Sequence, residues 1–276
     1  MKRALVGFVT NITANYSKIK IWTNSFKKHC KNDAIYLIAA NASNEEIDLL
    51  IKLDINIHNI IIDDNDLQFI NHKRLYYTYD LLSKIDIEYI LVTDVFDVIF
   101  QNDPFKKLDF NKFDLFLTLE GVLVSEEPWN SDVINKIFPE YYQLCRNRDV
   151  ICSGIIAGKR DHLINLLSSM YNLCENCSNN HNIKDQAALI VLDTIKRIDA
   201  HIKYLSLKDG WVVNCAVAGP TNFFESWGFK NTIEKRYLDI PVLRNNNIYI
   251  GDLQYDIVHQ FNRISEWNKE LIKDYE

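Results

Sequence analysis

Three aspartates in the stretch YILVTDVFDVIFQNDPF (Tyr89–Phe105) have the types and spacing that point first to chemistry: Asp94, Asp97 and Asp103. The apolar run YILV reads as a buried strand, and it ends in Asp94, with Asp97 three residues on. A carboxylate at the end of a buried strand is costly unless something compensates it. Two carboxylates in one turn can converge on a hard divalent cation. Mn²⁺ or Mg²⁺ prefers oxygen ligands and often bridges carboxylates to the phosphates of a substrate. A purely structural account is also open: Asp94 caps a turn, Asp97 pairs with a nearby Lys or Arg, and Asp103 caps a helix begun by Pro104.

The elements around this turn must position it. ALVGFVT (4–10), DAIYLIAA (33–40), INIHNIII (55–62) and EYILV read as four strands. Between them, residues 17–29 carry Ile19, Trp22 and Phe26 at helical spacing, and 67–84 carry Leu67, Ile70, Leu75, Tyr79 and Leu82. Ser43 with Glu46 three residues later is a capping-box signature for a helix in SNEEIDLLIKL. Strands alternating with helices imply βαβ units and a largely parallel sheet, and such sheets bind ligands at the carboxyl ends of their strands, where Asp94 falls. Farther on, 114–120, 150–158, 211–219 and 254–261 read as strands. Residues 161–174, 185–197 and the tail from Asn262 read as helices.

The chain of 276 residues, 25% charged with net charge -6, has an ordinary globular composition. That balance argues against nucleic acid as the main partner. No apolar run reaches the roughly 18 residues of a membrane span, and MKRALVGFVTN reads as a first strand and not as a signal peptide. The expectation is therefore a cytoplasmic protein with its six cysteines as free thiols and its sequons at Asn11, Asn41 and Asn176 unused. Cys174 and Cys177, with His181 four residues on, form a C-x-x-C that lacks the second pair a zinc site needs.

The stretch TDVFDVIFQNDPF resembles the metal-binding D-x-D motif of GT-A glycosyltransferases. CSGIIAGKRD (Cys152–Asp161) looks like the family's N-S-G strand, DQAAL (Asp185–Leu189) like its D-Q helix start, and IVHQFNR (Ile257–Arg263) like its late histidine strand. All four stand in the family's order and together cover most of the chain. The departure is two residues, Val95 and Phe96, between the aspartates where the family commonly has one. Asp97, followed by an apolar triplet, matches the motif's last aspartate, whereas the resemblance implies either metal or ribose as the partner of Asp94.

The resemblance implies a single GT-A domain over 1–276: an α/β fold, Rossmann-like, with a mostly parallel central sheet flanked by helices. Residues 1–103 form its nucleotide half and 104–276 its sugar and acceptor half. It implies a metal-dependent enzyme moving sugar from a nucleotide-diphosphate sugar, UDP by expectation, to a glycan or other hydroxyl acceptor. Asp94, Asp97 and His259 would hold Mn²⁺ or Mg²⁺. Arg74 and Arg263 would meet phosphate, although either also reads as a surface arginine. Thr10, Asn11 and Tyr16 would take base and ribose, with Tyr16 stacking. Glu120 and Asp185 would hold sugar hydroxyls and Gln186 would face the anomeric carbon, while Asp185 also reads as a plain helix N-cap. Trp211 or Trp227 would stack on an acceptor sugar, and one of the two belongs to the core. The D-Q helix and the histidine resemble the retaining, glycogenin-like group; an inverting enzyme would need a base such as Glu225 or Asp209. Two other readings are a GT-A-shaped binding protein without turnover and an aspartate-dependent phosphohydrolase, whose nucleophile usually follows the first strand.

Overall fold

A computed structural model describes residues 2–177, 181–218, 241–273 and 275, apart from the side chains at 218, 265 and 266. The elements run β1 (Arg3–Val9), α1 (Ile12–His29), β2 (Ala34–Ala40), α2 (Asn44–Ile51), β3 (Asn56–Ile60), α3 (Asp64–Leu67), α4 (Ile70–Lys84), β4 (Tyr89–Thr93), β5 (Val98–Phe100) and β6 (Leu115–Leu123). They continue with α5 (Pro128–Ile137), α6 (Pro139–Cys145), β7 (Asp149–Lys159), α7 (Arg160–Glu175), α8 (Asp185–Thr194), β8 (Ile202–Leu205), β9 (Val212–Asn214) and α9 (Cys215–Ala218). After residue 240 come β10 (Val242–Arg244), β11 (Asn247–Ile250), β12 (Leu253–Gln254), β13 (Ile257–His259) and α10 (Ser265–Leu271).

Seven strands make the central sheet in the order β3-β2-β1-β4-β7-β6-β8, with β7 antiparallel to both of its neighbours and every other pairing parallel. This is the mostly parallel α/β sheet the sequence implies. Its strands are apolar on both faces because both faces are covered. On one side Leu5, Leu37 and Leu91 pack with Ile19, Trp22 and Phe26 of α1. On the other, Ala4, Val6 and Ile90 pack with Leu75 and Leu82 of α4 and Leu163 and Leu167 of α7. Ser43 and Glu46 close the expected capping box on α2.

Several boundaries differ from the sequence reading, each for a local reason. Helix α1 starts at Ile12, so the loop after β1 shrinks to Thr10 and Asn11. Asn11 takes a left-handed conformation (φ 51°), which Asn tolerates better than most residues. Ile12 is fully buried, which favours the earlier start. No helix follows Pro104. Asp103 instead accepts from the Phe105 amide (2.9 Å) and pairs with Arg3 (3.1 Å). Residues 211–219 give the short β9 and then α9, and 254–261 divide into β12 and β13. Helices α5 and α6 and strand β8 were unexpected. Both helices begin with proline at the first position, where its missing N–H costs nothing.

A second sheet, β5-β13-β9, meets the first at the acidic turn. Strand β4 ends in the large sheet and β5 begins the small one, so Asp94 to Asp97 span the junction. Strands β1, β2 and β4 are parallel, which brings Thr10, Asn41 and Asp94 to one edge. The turn is seated from below. The Trp22 indole N–H donates to Thr93 Oγ1 (2.9 Å), and Val95 packs over Gly7. A Cβ on Gly7 would lie 2.5 Å from Val95 Cγ2 and 2.9 Å from the Trp22 ring. Gly7→Ala should therefore destabilise the protein by about 1–3 kcal/mol through overpacking, measured by urea denaturation. Wild-type stability in that variant would show that the turn does not rest on Gly7.

Candidate active site

Asp94 follows β4, Asp97 precedes β5 and His259 ends β13. Strand β13 pairs antiparallel with β5, setting His259 opposite Val98, and parallel with β9, setting it opposite Asn214. The Gln260 amide donates to the Asp97 carbonyl (2.7 Å). Backbone pairing alone thus carries the histidine to the acidic turn. Ligand atoms of the three side chains lie within 4.8 Å of one another. His259 Nε2 is 3.3 Å from Asp94 Oδ2 and 3.8 Å from Asp97 Oδ1. That nitrogen is buried and makes no hydrogen bond.

A buried orphan nitrogen facing two carboxylate oxygens is a donor set suited to a divalent cation. Gly154 on β7 keeps the space open: a Cβ there would lie 2.6 Å from Asp94 Oδ2 and 2.8 Å from His259 Cε1. The residues fit Mn²⁺ or Mg²⁺, and the imidazole favours Mn²⁺.

The charges are strongly perturbed. Burial opposes ionisation of Asp94, but Arg74 and His259 outweigh it and hold the carboxyl well below its ordinary range. Burial raises Asp97, with the Asp94 charge adding to it and His259 pulling the other way. Burial opposes charge on His259, yet Cys152, Asp94 and Asp97 raise it well above its usual value.

Arg74 projects from α4 between two acids. It pairs with Asp94 Oδ1, donates to Asp185 Oδ2 (2.8 Å), and its Nε reaches the Asn71 carbonyl (3.2 Å). The sequence suggests a phosphate contact; here the fork of the guanidinium holds carboxylates. Asp185 is the first residue of α8 and not its N-cap, a correction to the simple capping account. It is buried and also accepts from Ser153 Oγ (3.2 Å).

Cavities lie to either side of the cluster. One of about 250 Å³ is walled by Phe8, Thr10, Asn71, Arg74, Asp94 and Asp97. A neighbour of about 410 Å³, sharing Thr10 and Ile70, is walled by Asn11, Asn41 and Glu46 among others. Beyond His259, a third of about 260 Å³ is lined by Glu120, Trp129, Asn130, Gln186, Asn214 and Arg263 among others. Thr10, Asn11, Glu120, Gln186 and Arg263 thus all line cavities along this edge. Tyr16 does not: it sits inside α1 with its hydroxyl donating to the Leu49 carbonyl (3.3 Å).

The third cavity holds residues that sequence reasoning missed. Gln186 donates to Asn130 Oδ1 (3.1 Å) and to Glu120 Oε1 (3.5 Å), while its own Oε1 accepts from the Ser153 amide (3.4 Å). Asn130 in turn donates to Glu127 Oε2 (2.6 Å), and Glu127 caps α5 through the amides of Trp129 and Asn130. Asn214 donates to Glu120 Oε1 (2.8 Å). The cue was available in EPWN: a carboxylate before a proline is a helix start. Burial, reinforced by the charge of Glu127, pushes Glu120 up to about 7.

Other candidates take structural places. Trp211 is core, fully buried with its N–H on the Pro104 carbonyl (2.8 Å). Asp209 accepts from the amide and hydroxyl of Ser206 (2.7 and 2.8 Å) in a capping box. Glu225 and Trp227 lie outside the described residues. Cys174 is buried, Cys177 Sγ donates to the Ile137 carbonyl (3.2 Å), and among the described residues neither joins a metal-like group. No helix among the described residues is long and apolar enough to cross a membrane.

No family model and no curated protein matches the sequence. Among solved structures, the chain is similar to the galactosyltransferase LgtC, solved in complex with donor and acceptor sugar analogues. The two superpose with a TM-score of 0.53 at 14% identity, over 93% of this chain and 86% of that one. With the seven-stranded sheet, this likeness establishes a GT-A, Rossmann-like α/β fold.

Two outcomes follow from this geometry. Gly154→Ala should lower Mn²⁺ affinity by at least about tenfold, read from the free-ion EPR signal, because the added methyl group occupies the space beside Asp94 and His259; unchanged uptake would remove Gly154 from the site. Glu120 supplies a pH dependence. Between its ordinary value of 4.5 and its folded value of about 7, the folded protein keeps a proton that the unfolded chain has released. Its contribution is full below about pH 4.5 and is lost as pH rises to about 7, on the order of 3 kcal/mol. In Glu120→Gln this component disappears. Urea stability should then fall less between about pH 5 and pH 8 than in wild type, whereas parallel pH profiles would mean that Glu120 titrates normally.

Proposed function

We propose that this chain is a glycosyltransferase that moves a sugar from a nucleoside-diphosphate sugar, UDP by preference, to a hydroxyl acceptor. The observation that carries the reading is the convergence of Asp94, Asp97 and the unpartnered Nε2 of His259 between two sets of cavities. The D-Q and histidine motifs and the likeness to a galactosyltransferase fold support it. One domain spans 1–276 in this reading, with 1–103 taking the nucleotide and 104–276 the sugar and acceptor.

The residues divide the work as follows. Thr10 and Asn11, at the end of β1, hold ribose and base. Asp94, Asp97 and His259 hold Mn²⁺ or Mg²⁺. Bound there, the cation would offset charge on the diphosphate as the sugar–phosphate bond breaks. Arg74 keeps Asp94 ionised and holds Asp94 and Asp185 in place, and Arg263 at the mouth of the third cavity meets phosphate. Asp185 and Glu120 accept hydrogen bonds from sugar hydroxyls, and Gln186, fixed by Asn130 and Ser153, faces the anomeric carbon. Retention of configuration, as in glycogenin-like enzymes, rests on that pairing of D-Q with histidine.

A panel of nucleotide sugars with Mn²⁺, scored for binding and slow hydrolysis, tests the reading and identifies the donor without the acceptor. Hydrolysis should stop on exhaustive chelation and return with Mn²⁺. Asp97→Asn should lower it by about 10²–10³-fold with little change in melting temperature. Full turnover after chelation, or an active Asp97→Asn protein, would overturn the assignment. Donor binding without hydrolysis in any arm would leave a binding protein.

A further inference from the structure

The ring of His259 has a second nitrogen, and its partner is a thiol. Nδ1 lies 3.4 Å from Cys152 Sγ, with the histidine 2% exposed and the cysteine 1%. The two ring nitrogens are not free to choose their roles independently: in a neutral imidazole one carries the proton and the other a lone pair. If the proton sits on Nε2, it points at Asp94 and Asp97 and blocks any cation. If it sits on Nδ1, it is donated to sulfur and the Nε2 lone pair faces the two carboxylates. A thiol can serve either way, as weak donor or weak acceptor.

What decides is the other nitrogen. Nε2 faces Asp94 Oδ2 (3.3 Å) and Asp97 Oδ1 (3.8 Å) and makes no hydrogen bond, so a cation held there takes its lone pair. The ring proton then sits on Nδ1, where the Cys152 sulfur is within reach to accept it. Backbone pairing holds the parts in place: Cys152 on β7 lies in the large sheet beside Gly154, and His259 on β13 lies in the small one.

We infer that Cys152 is a positioning residue, which accepts a hydrogen bond from Nδ1–H of His259, so that the Nε2 lone pair is kept for a cation between Asp94 and Asp97. This rests on the metal reading given under Proposed function and adds a residue behind the metal ligand. The thiol lies behind the ring and does not itself ligate. Partners behind a ligating histidine commonly change metal affinity 10–100-fold when removed.

The test is Mn²⁺ titration of the full-length, ion-free protein at about pH 8, with free ion read by EPR. Cys152→Ala, which removes the acceptor, should bind about tenfold more weakly than wild type. Cys152→Ser, which keeps a hydroxyl acceptor, should stay close to wild type. Melting temperatures of the two ion-free variants should agree, which separates positioning from packing. In the Mg²⁺-loaded wild type, ¹⁵N spectra of His259 should show Nδ1 protonated. Equal Mn²⁺ affinity in wild type and Cys152→Ala, or an unprotonated Nδ1 in the loaded wild type, overturns the inference while leaving the metal site standing. If Cys152→Ala does not fold, the His259 spectrum of wild type decides. A wild type that takes up no Mn²⁺ overturns the metal reading and the inference together.

Discussion

Compensation of two carboxylates where two sheets meet is the constraint on which the rest depends. Asp94 and Asp97 stand at the end of a strand in which Ile90, Leu91 and Thr93 are buried, and both are themselves only partly exposed, so water offsets their charge incompletely. The chain answers with one fixed cation and one ring. Arg74 reaches from α4 and joins Asp94 to Asp185, and His259 reaches from β13. The compensation is unequal. Asp94 has both partners and is held ionised, whereas Asp97 is raised by burial and has no bidentate partner. An arrangement tuned for stability alone would pair both acids fully or replace them with apolar residues, since a half-compensated buried set is a net cost. Leaving one acid and one imidazole nitrogen unsatisfied makes sense where another positive charge is to arrive.

The sheets turn that need into geometry. The large sheet delivers Asp94, Thr10 and Asn41 to one edge because its first strands are parallel, and the small sheet delivers His259 because β13 pairs with the strand that follows Asp97. Two glycines make the junction fit. Gly7 lies under the turn against Val95 and Trp22, and Gly154 lies beside it against Asp94 and His259. Each removes a side chain where two elements approach closely, which is the usual meaning of glycine inside a strand. The extra residue between the aspartates, Val95 and Phe96 in place of one, is absorbed by Val95 packing down onto Gly7.

Much of this was legible in residue order. Apolar runs separated by helical spacing named the first four strands, and the carboxyl-edge rule for parallel sheets put Asp94 where ligands bind. The site residues Asp94, Asp97 and His259 come from motifs distant in sequence, and the register of β5 with β13 is what joins them. Less legible were features set by tertiary contact. Tyr16 reads as a loop residue because nothing in TNITANY announces a helix; burial of Ile12 extends α1 to include it. Trp211 reads equally as core or platform, and only its contact with Pro104 decides. Arg74 carries a charge whose partner sequence cannot assign, since Asp185 is 111 residues away. Asn130, Glu127 and Asn214 form no motif and matter only through the hydrogen bonds they make. Gly154 and the prolines of α5 and α6 carried signals that a closer reading of glycine and proline positions would have used.

The polar network around Glu120 adds a last step. The amides Gln186, Asn130 and Asn214 and the acids Glu120 and Glu127 are joined by hydrogen bonds along the wall of the third cavity. Every bond in it fixes the orientation of an amide: Asn130 and Glu120 take the Gln186 N–H₂, so its carbonyl turns toward Ser153 at the head of Gly154. Satisfied buried networks rigidify a site and set it in one arrangement. Glu120 closes the circuit, touching Asn214 beside His259 on one side and Gln186 at the start of α8 on the other. The acidic cluster and the third cavity are joined through side chains. Arg74 bonds both Asp94 and Asp185, and Asp185 precedes Gln186 of the cavity wall, so a displacement at the acidic turn is felt at Gln186 through covalent and hydrogen-bonded steps no longer than one side chain each. In the proposed glycosyltransferase reading, that coupling is what the reaction would require, because the group that leaves and the group that attacks must be held in register across the same few ångströms.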